Sequence, residues 1–111
     1  IVTVEAGEDP ADFCRRAKAQ AAAQTEFIPS GPWDGDQLVY FTCLPWFPLT
    51  ALKNEKDVNP SDSVPRAAWG RWEEEGSRTR LLLSLELNHR LLDGVHVGRF
   101  YEALNRWMEG L

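Results

Sequence analysis

A chain of 111 residues with 12 Lys and Arg against 17 Asp and Glu, a formal net charge of −5, is about one domain, residues 1 to 111, with a modest core. Its acidic balance and scattered basic residues exclude an ordinary nucleic-acid partner, because neutralising phosphates takes a clustered excess of Lys and Arg. With 43% hydrophobic residues and no apolar run long enough to cross a bilayer, the composition predicts a soluble chain with no membrane partner. Cys14 and Cys43 match no zinc or redox spacing and read as reduced core thiols. With no signal peptide to be seen, they predict a cytoplasmic location. The opening "IVTVEAG" has no initiator methionine and reads as the start of a trimmed or partial chain.

In chain order, Ile1 to Val4 read as a short strand. A helix from about Pro10 to Thr25 follows, with Asp9 as N-cap, Pro10 at the first helical position and Asp12 in the first turn. Its Ala-rich stripe of Phe13, Ala17 and Ala21 suits close packing on a sheet. "IPSGPWDGD" is a turn cluster, and "QLVYFTCLPWF" predicts a strand from Leu38 to Leu44, buried on both faces and ended by Pro45. Pro48 to Ser63 read as loop. "VPRAAWGRWEEEGSRTR" reads as a strand and then a hairpin turning at Gly76. Leu81 to Leu87 alternate as a further strand, and Val97, Phe100, Leu104 and Trp107 set the stripe of an amphipathic helix over Gly94 to Leu111. The order is strand, helix, three strands, helix.

The chemistry gathers in "NHRLLDGVHVGRF". His89 falls just past an apolar strand and Asp93 at the mouth of a helix. From these residues alone, His89 reads either as a strand-end histidine or as a base, and Asp93 as an N-cap with Gly94 easing the turn. A metal site of His89, Asp93 and His96 would want three well-placed ligands, and His96 lies beyond the turn. A serine hydrolase is disfavoured because there is no Gly-x-Ser-x-Gly.

The same segment resembles the signature of the chloramphenicol acetyltransferase family, which shares His-x-x-x-Asp-Gly with other coenzyme A-dependent acyltransferases and with condensation domains. Upstream, "TCLPWFPLTAL" is similar to the family's Ser or Thr, two residues, then Pro-Trp. The likeness runs from about Leu38 to Trp107, taking in Val64 and Pro65 and the pair Glu75 and Gly76, and corresponds to the family's C-terminal half. It implies an α/β sandwich of the coenzyme A-dependent acyltransferase type, a mixed sheet with helices packed on it, of which this chain holds a part.

The resemblance also implies a function: transfer of an acetyl or acyl group from acetyl-CoA or another acyl-CoA to a small hydroxyl acceptor, chloramphenicol-like, as in antibiotic resistance, with no metal. His89 would be the general base, a task suited to an imidazole because it takes up and returns protons near neutral pH. Thr42, by its residue type a β-branched strand residue, would stabilise the oxyanion. Trp46, otherwise a packing residue, would line the coenzyme channel. Asp93 would support the site through an ion pair. Its arginine partner in the family lies in the other half, leaving a helix cap, another chain, or Arg90 or Arg99. Asn88 stands where the family has the first of two histidines, and Ala68 where it commonly has a hydroxyl. Arg66, Arg71, Arg78 and Arg80 read as surface arginines. The implied assembly is a homo-oligomer, a trimer, or association with a chain supplying the N-terminal half. The competing reading is a non-catalytic acyltransferase-like domain serving assembly or ligand binding.

Overall fold

In a computed structural model describing residues 1–27, 37–55 and 60–110, the chain forms a small α/β fold with two helices, a three-stranded mixed sheet and a β-hairpin. Two units divide it, Ile1–Pro32 and Trp33–Leu111.

The first unit is built on helix α1, Pro10–Ala23. Asp9 caps it as its sequence predicts, its carboxylate accepting from Ala11 N at 2.9 Å and Asp12 N at 3.2 Å. The strand expected at Ile1–Val4 is absent. Side chains of α1 take up the carbonyls a neighbouring strand would have used, with Gln20 Nε2 donating to Ile1 O at 2.6 Å and Arg16 Nη2 to Thr3 O at 2.7 Å. Arg16 also grips the Glu8 carboxylate with two hydrogen bonds of 2.9 and 2.7 Å. Cys14 lies exposed on this helix, and Cys43 is exposed in the second unit. Both are free thiols, and neither is the core residue the sequence suggests. The turn cluster of residues 28–36 falls outside the described residues.

In the second unit, β1, Tyr40–Leu44, pairs in parallel with β2, Arg66–Gly70, which pairs antiparallel with β5, Leu83–Glu86. Between β2 and β5 the chain makes the hairpin of β3, Glu73–Glu75, and β4, Arg78–Arg80. Gly76 turns it with φ 66°, the left-handed backbone a tight hairpin loop demands. β1 stops before Pro45 as expected, but it is not buried on both faces. Among the described residues it is an edge strand with β2 as its one neighbour, and Phe41 is 67% exposed. The apolar run specifies a strand; cover needs a second layer, and the described residues of this unit supply none over it.

Among the described residues the buried apolar side chains are Leu49, Ala67 and Ala68, at the middle strand and the segment crossing its end. There Arg71 N donates to Phe47 O at 2.8 Å. Gly70 makes the approach possible, since a Cβ would stand 2.7 Å from Phe47 O and collide with Leu49 N. Helix α2, Gly94–Met108, follows β5 and is tied to it by Tyr101, whose hydroxyl donates to Leu83 O at 2.9 Å. Val97, Tyr101 and Leu104 form its half-buried stripe, while Phe100 and Trp107 of the expected stripe are exposed. Tyr101 displaces Phe100 because its hydroxyl finds an acceptor.

Candidate active site

The turn between β5 and α2 is assembled by Asn88. Its side-chain amide donates to Asp62 O at 2.7 Å and Pro60 O at 3.1 Å, and its Oδ1 accepts from Arg90 N at 3.0 Å. Its own carbonyl accepts from Leu91 N at 3.0 Å and Leu92 N at 3.3 Å. An asparagine amide offers two donors and an acceptor, and all are used to lash this turn to the loop that enters β2. Asn88 is the scaffold of this turn.

Within that turn, His89 is exposed, and its Nδ1 lies 2.9 Å from Leu92 O. A carbonyl oxygen can only accept, so Nδ1 carries the hydrogen. In the neutral ring that leaves Nε2 with the lone pair. A backbone carbonyl thus selects the Nδ1–H tautomer.

Asp93 is the N-cap of α2, accepting at Oδ1 from Val95 N at 3.0 Å and His96 N at 3.4 Å. His96 Nδ1 stands 2.9 Å from the same oxygen. Loss of hydration pushes the Asp93 carboxyl upward, but the backbone N–H groups of His96 and Val95, helped by the His96 ring, outweigh it and hold the group below its ordinary value. Of the partners left open by the sequence, the helix cap is the one found. The ion pair of Asp93 among the described residues is with His96, not Arg90 or Arg99. Gly94 has no left-handed φ, and a Cβ there would meet open space, so the turn does not require glycine.

Thr42 is exposed at the centre of β1, in the row Thr42, Ala68, Ser84 across the three strands. With strands about 4.8 Å apart, Thr42 lies some 10 Å from Ser84. Trp46, 74% exposed, sits in the turn beyond β1, where its carbonyl accepts from Arg71 Nη1 at 3.5 Å. The register puts His89 past the end marked by Tyr40, Arg66 and Glu86, and Trp46 past the end marked by Leu44 and Gly70. Within one chain these two occupy opposite ends of the sheet. His89 and Asp93 are brought into one turn; Trp46 is not brought to them.

Two of the arginines, Arg66 and Arg80, are engaged in ion pairs. Arg66 pairs with Asp62 at 2.9 Å and lies 5.8 Å from the Tyr40 ring centre, and Arg80 pairs with Glu75 at 3.6 Å. Among the described residues, no group of three or more His, Cys, Asp or Glu is arranged to hold a metal ion. His96, which the sequence offers only as a metal ligand, belongs instead to the cap of α2. Its place three residues after an N-cap aspartate is the capping-box position, a signal open to inspection.

No protein-family model matches the chain, and no curated protein matches it. No helix among the described residues is long and apolar enough to cross a membrane.

Proposed function

We propose that the chain is the catalytic part of an acyltransferase of the chloramphenicol acetyltransferase type, moving an acetyl or acyl group from acyl-CoA to a small hydroxyl acceptor. The observation that carries this reading is His89, exposed, with Nδ1–H committed to Leu92 O and Nε2 left as an acceptor. Nε2 takes the proton of the acceptor hydroxyl as its oxygen attacks the thioester carbonyl. The tetrahedral oxyanion accepts a hydrogen bond from the Thr42 hydroxyl, worth on the order of 3 kcal/mol in the barrier. Collapse breaks the carbon–sulfur bond, and the imidazolium returns its proton to the departing thiolate. No metal takes part.

Because His89 and Trp46 stand at opposite ends of the sheet, a site using both draws them from two chains. That agrees with a homo-oligomer, a trimer in the resembling family, or with a partner supplying the N-terminal half. The free thiols of Cys14 and Cys43 suit a cytoplasmic location. The test is thiol release from acetyl-CoA with a hydroxyl acceptor. His89→Ala should lower it about 10²–10⁴-fold, and a variant as active as the parent removes His89 as base.

A non-catalytic domain is the second reading, favoured by one feature. Ala68, only 4% exposed, occupies the centre of the row between Thr42 and Ser84, where the family commonly has a hydroxyl. Coenzyme A binding by calorimetry with no turnover on any hydroxyl acceptor would select it.

A further inference from the structure

One peptide group, Leu92 C=O to Asp93 N–H, lies between the two histidines of the chain. On its carbonyl side His89 Nδ1 donates at 2.9 Å. On its amide side stands His96, whose Nδ1 is 3.4 Å from Asp93 N and 2.9 Å from Asp93 Oδ1. These two contacts of His96 are alternatives. An Nδ1 without hydrogen accepts from Asp93 N–H, and an Nδ1 with hydrogen donates to the carboxylate. In either state His96 is bonded to Asp93, and Asp93 is at the same time fixed to the first turn of α2 through Val95 N and His96 N. The peptide plane is therefore held from the helix side, and that plane aims the Leu92 carbonyl.

We infer that His96 is a positioning residue for His89. By clasping Asp93 it sets the orientation of the Leu92–Asp93 peptide, and the peptide's carbonyl fixes His89 as the Nδ1–H tautomer with Nε2 free. His96 itself touches neither acceptor nor thioester. For turnover the inference rests on His89 acting as base; for structure it stands without that reading. An N3 glutamine is the residue that ordinarily reaches back to an N-cap amide, so His96→Gln preserves the clasp while His96→Ala removes it.

The experiment is long-range proton–nitrogen NMR on the intact chain, nitrogen-15 labelled in histidine, at a pH where the imidazoles are neutral. The parent protein should show His89 as Nδ1–H. In His96→Ala that tautomer should give way to a mixture with Nε2–H, and in His96→Gln it should return. Glu102→Gly, which loosens α2 away from its first turn, should leave the His89 tautomer as in the parent, separating aim from helix stability. In the thiol-release assay His96→Ala should lower kcat by about tenfold with KM little changed. A His89 tautomer unchanged in His96→Ala, or Nε2–H in the parent, overturns the inference. If His96→Ala costs α2 its helical signal, His96→Gln and His96→Met decide. They are matched in length and both favour helix, but only Gln bonds Asp93, so equal tautomer populations in the two overturn it. Absence of turnover in the parent would count against the acyltransferase reading alone, because the NMR outcome is independent of it.

Discussion

At the scale of single residues, the candidate site depends on who carries which hydrogen. His89 can present Nε2 because its Nδ1–H is committed to Leu92 O. Among the described residues no hydrogen bond ties the hydroxyl of Thr42, in the middle of an exposed strand, so valine can replace it in shape. Thr42→Val should lower acyl transfer about a hundredfold with stability within roughly 1 kcal/mol, and Thr42→Ser should be mild. Unchanged turnover in Thr42→Val would return Thr42 to being a strand residue. The carboxylates give a pH dependence. Asp93 and Glu8 both titrate below their ordinary values in the folded chain, Glu8 chiefly because Arg16 hydrogen-bonds its ionised form. A group depressed in this way contributes stability that is present above its unfolded value and is lost as pH falls through its folded one. Melting temperature should therefore drop below about pH 4, the ordinary carboxylate range. Asp93→Asn and Glu8→Gln should each flatten that acid limb, and a limb as steep in both variants as in the parent would contradict the assignment.

At the scale of elements, two glycines carry backbone geometry that a side chain would disturb. Gly70 lets the segment after β1 cross the end of β2 at backbone contact, which is how Leu49 becomes buried. Gly70→Ala has no flexible side chain to push aside, only Phe47 O and the Leu49 backbone, so it should cost about 1–3 kcal/mol in denaturant unfolding. Gly76→Ala meets no atoms but must hold φ 66°, at about 1–2 kcal/mol. Of the two, only the first should disturb the segment carrying Trp46. Tryptophan fluorescence that shifts equally in both variants would show that the close approach at Gly70 has no local effect.

At the scale of the whole molecule, apolar surface is in excess of what the described residues cover. Phe41, Trp46 and Trp72 are all more than half exposed, whereas Leu49, Ala67 and Ala68 are the buried apolar side chains among the described residues. A large apolar side chain left in water forgoes about 1.5–3 kcal/mol of burial, and among the described residues β1 is a strand edge besides. Light scattering at micromolar concentration should thus find a homo-oligomer, a trimer by the family resemblance, or the chain bound to a partner. A clean 12.6 kDa monomer with a cooperative melt would defeat both the assembly and a site shared between chains.

Local chemistry was legible without any structure. Asp9 followed by Pro10 predicts the first helix and its cap, Pro45 the end of β1, Gly76 the hairpin, and Asp93-Gly94 the start of α2; all are found, because caps and turns are decided by atoms within a few residues. His89 and Asp93 in one turn follow from the same short range. What depends on distant partners was not. The opening segment is no strand because α1 took its carbonyls, and β1 is no core strand because burial belongs to whatever lies on its faces. Asn88 received its role from Pro60 and Asp62, and the separation of Trp46 from His89 came from the register of three strands. Period and capping are properties of consecutive residues. Cover, register and the carbonyl that aims a histidine are set only when segments far apart in the chain meet.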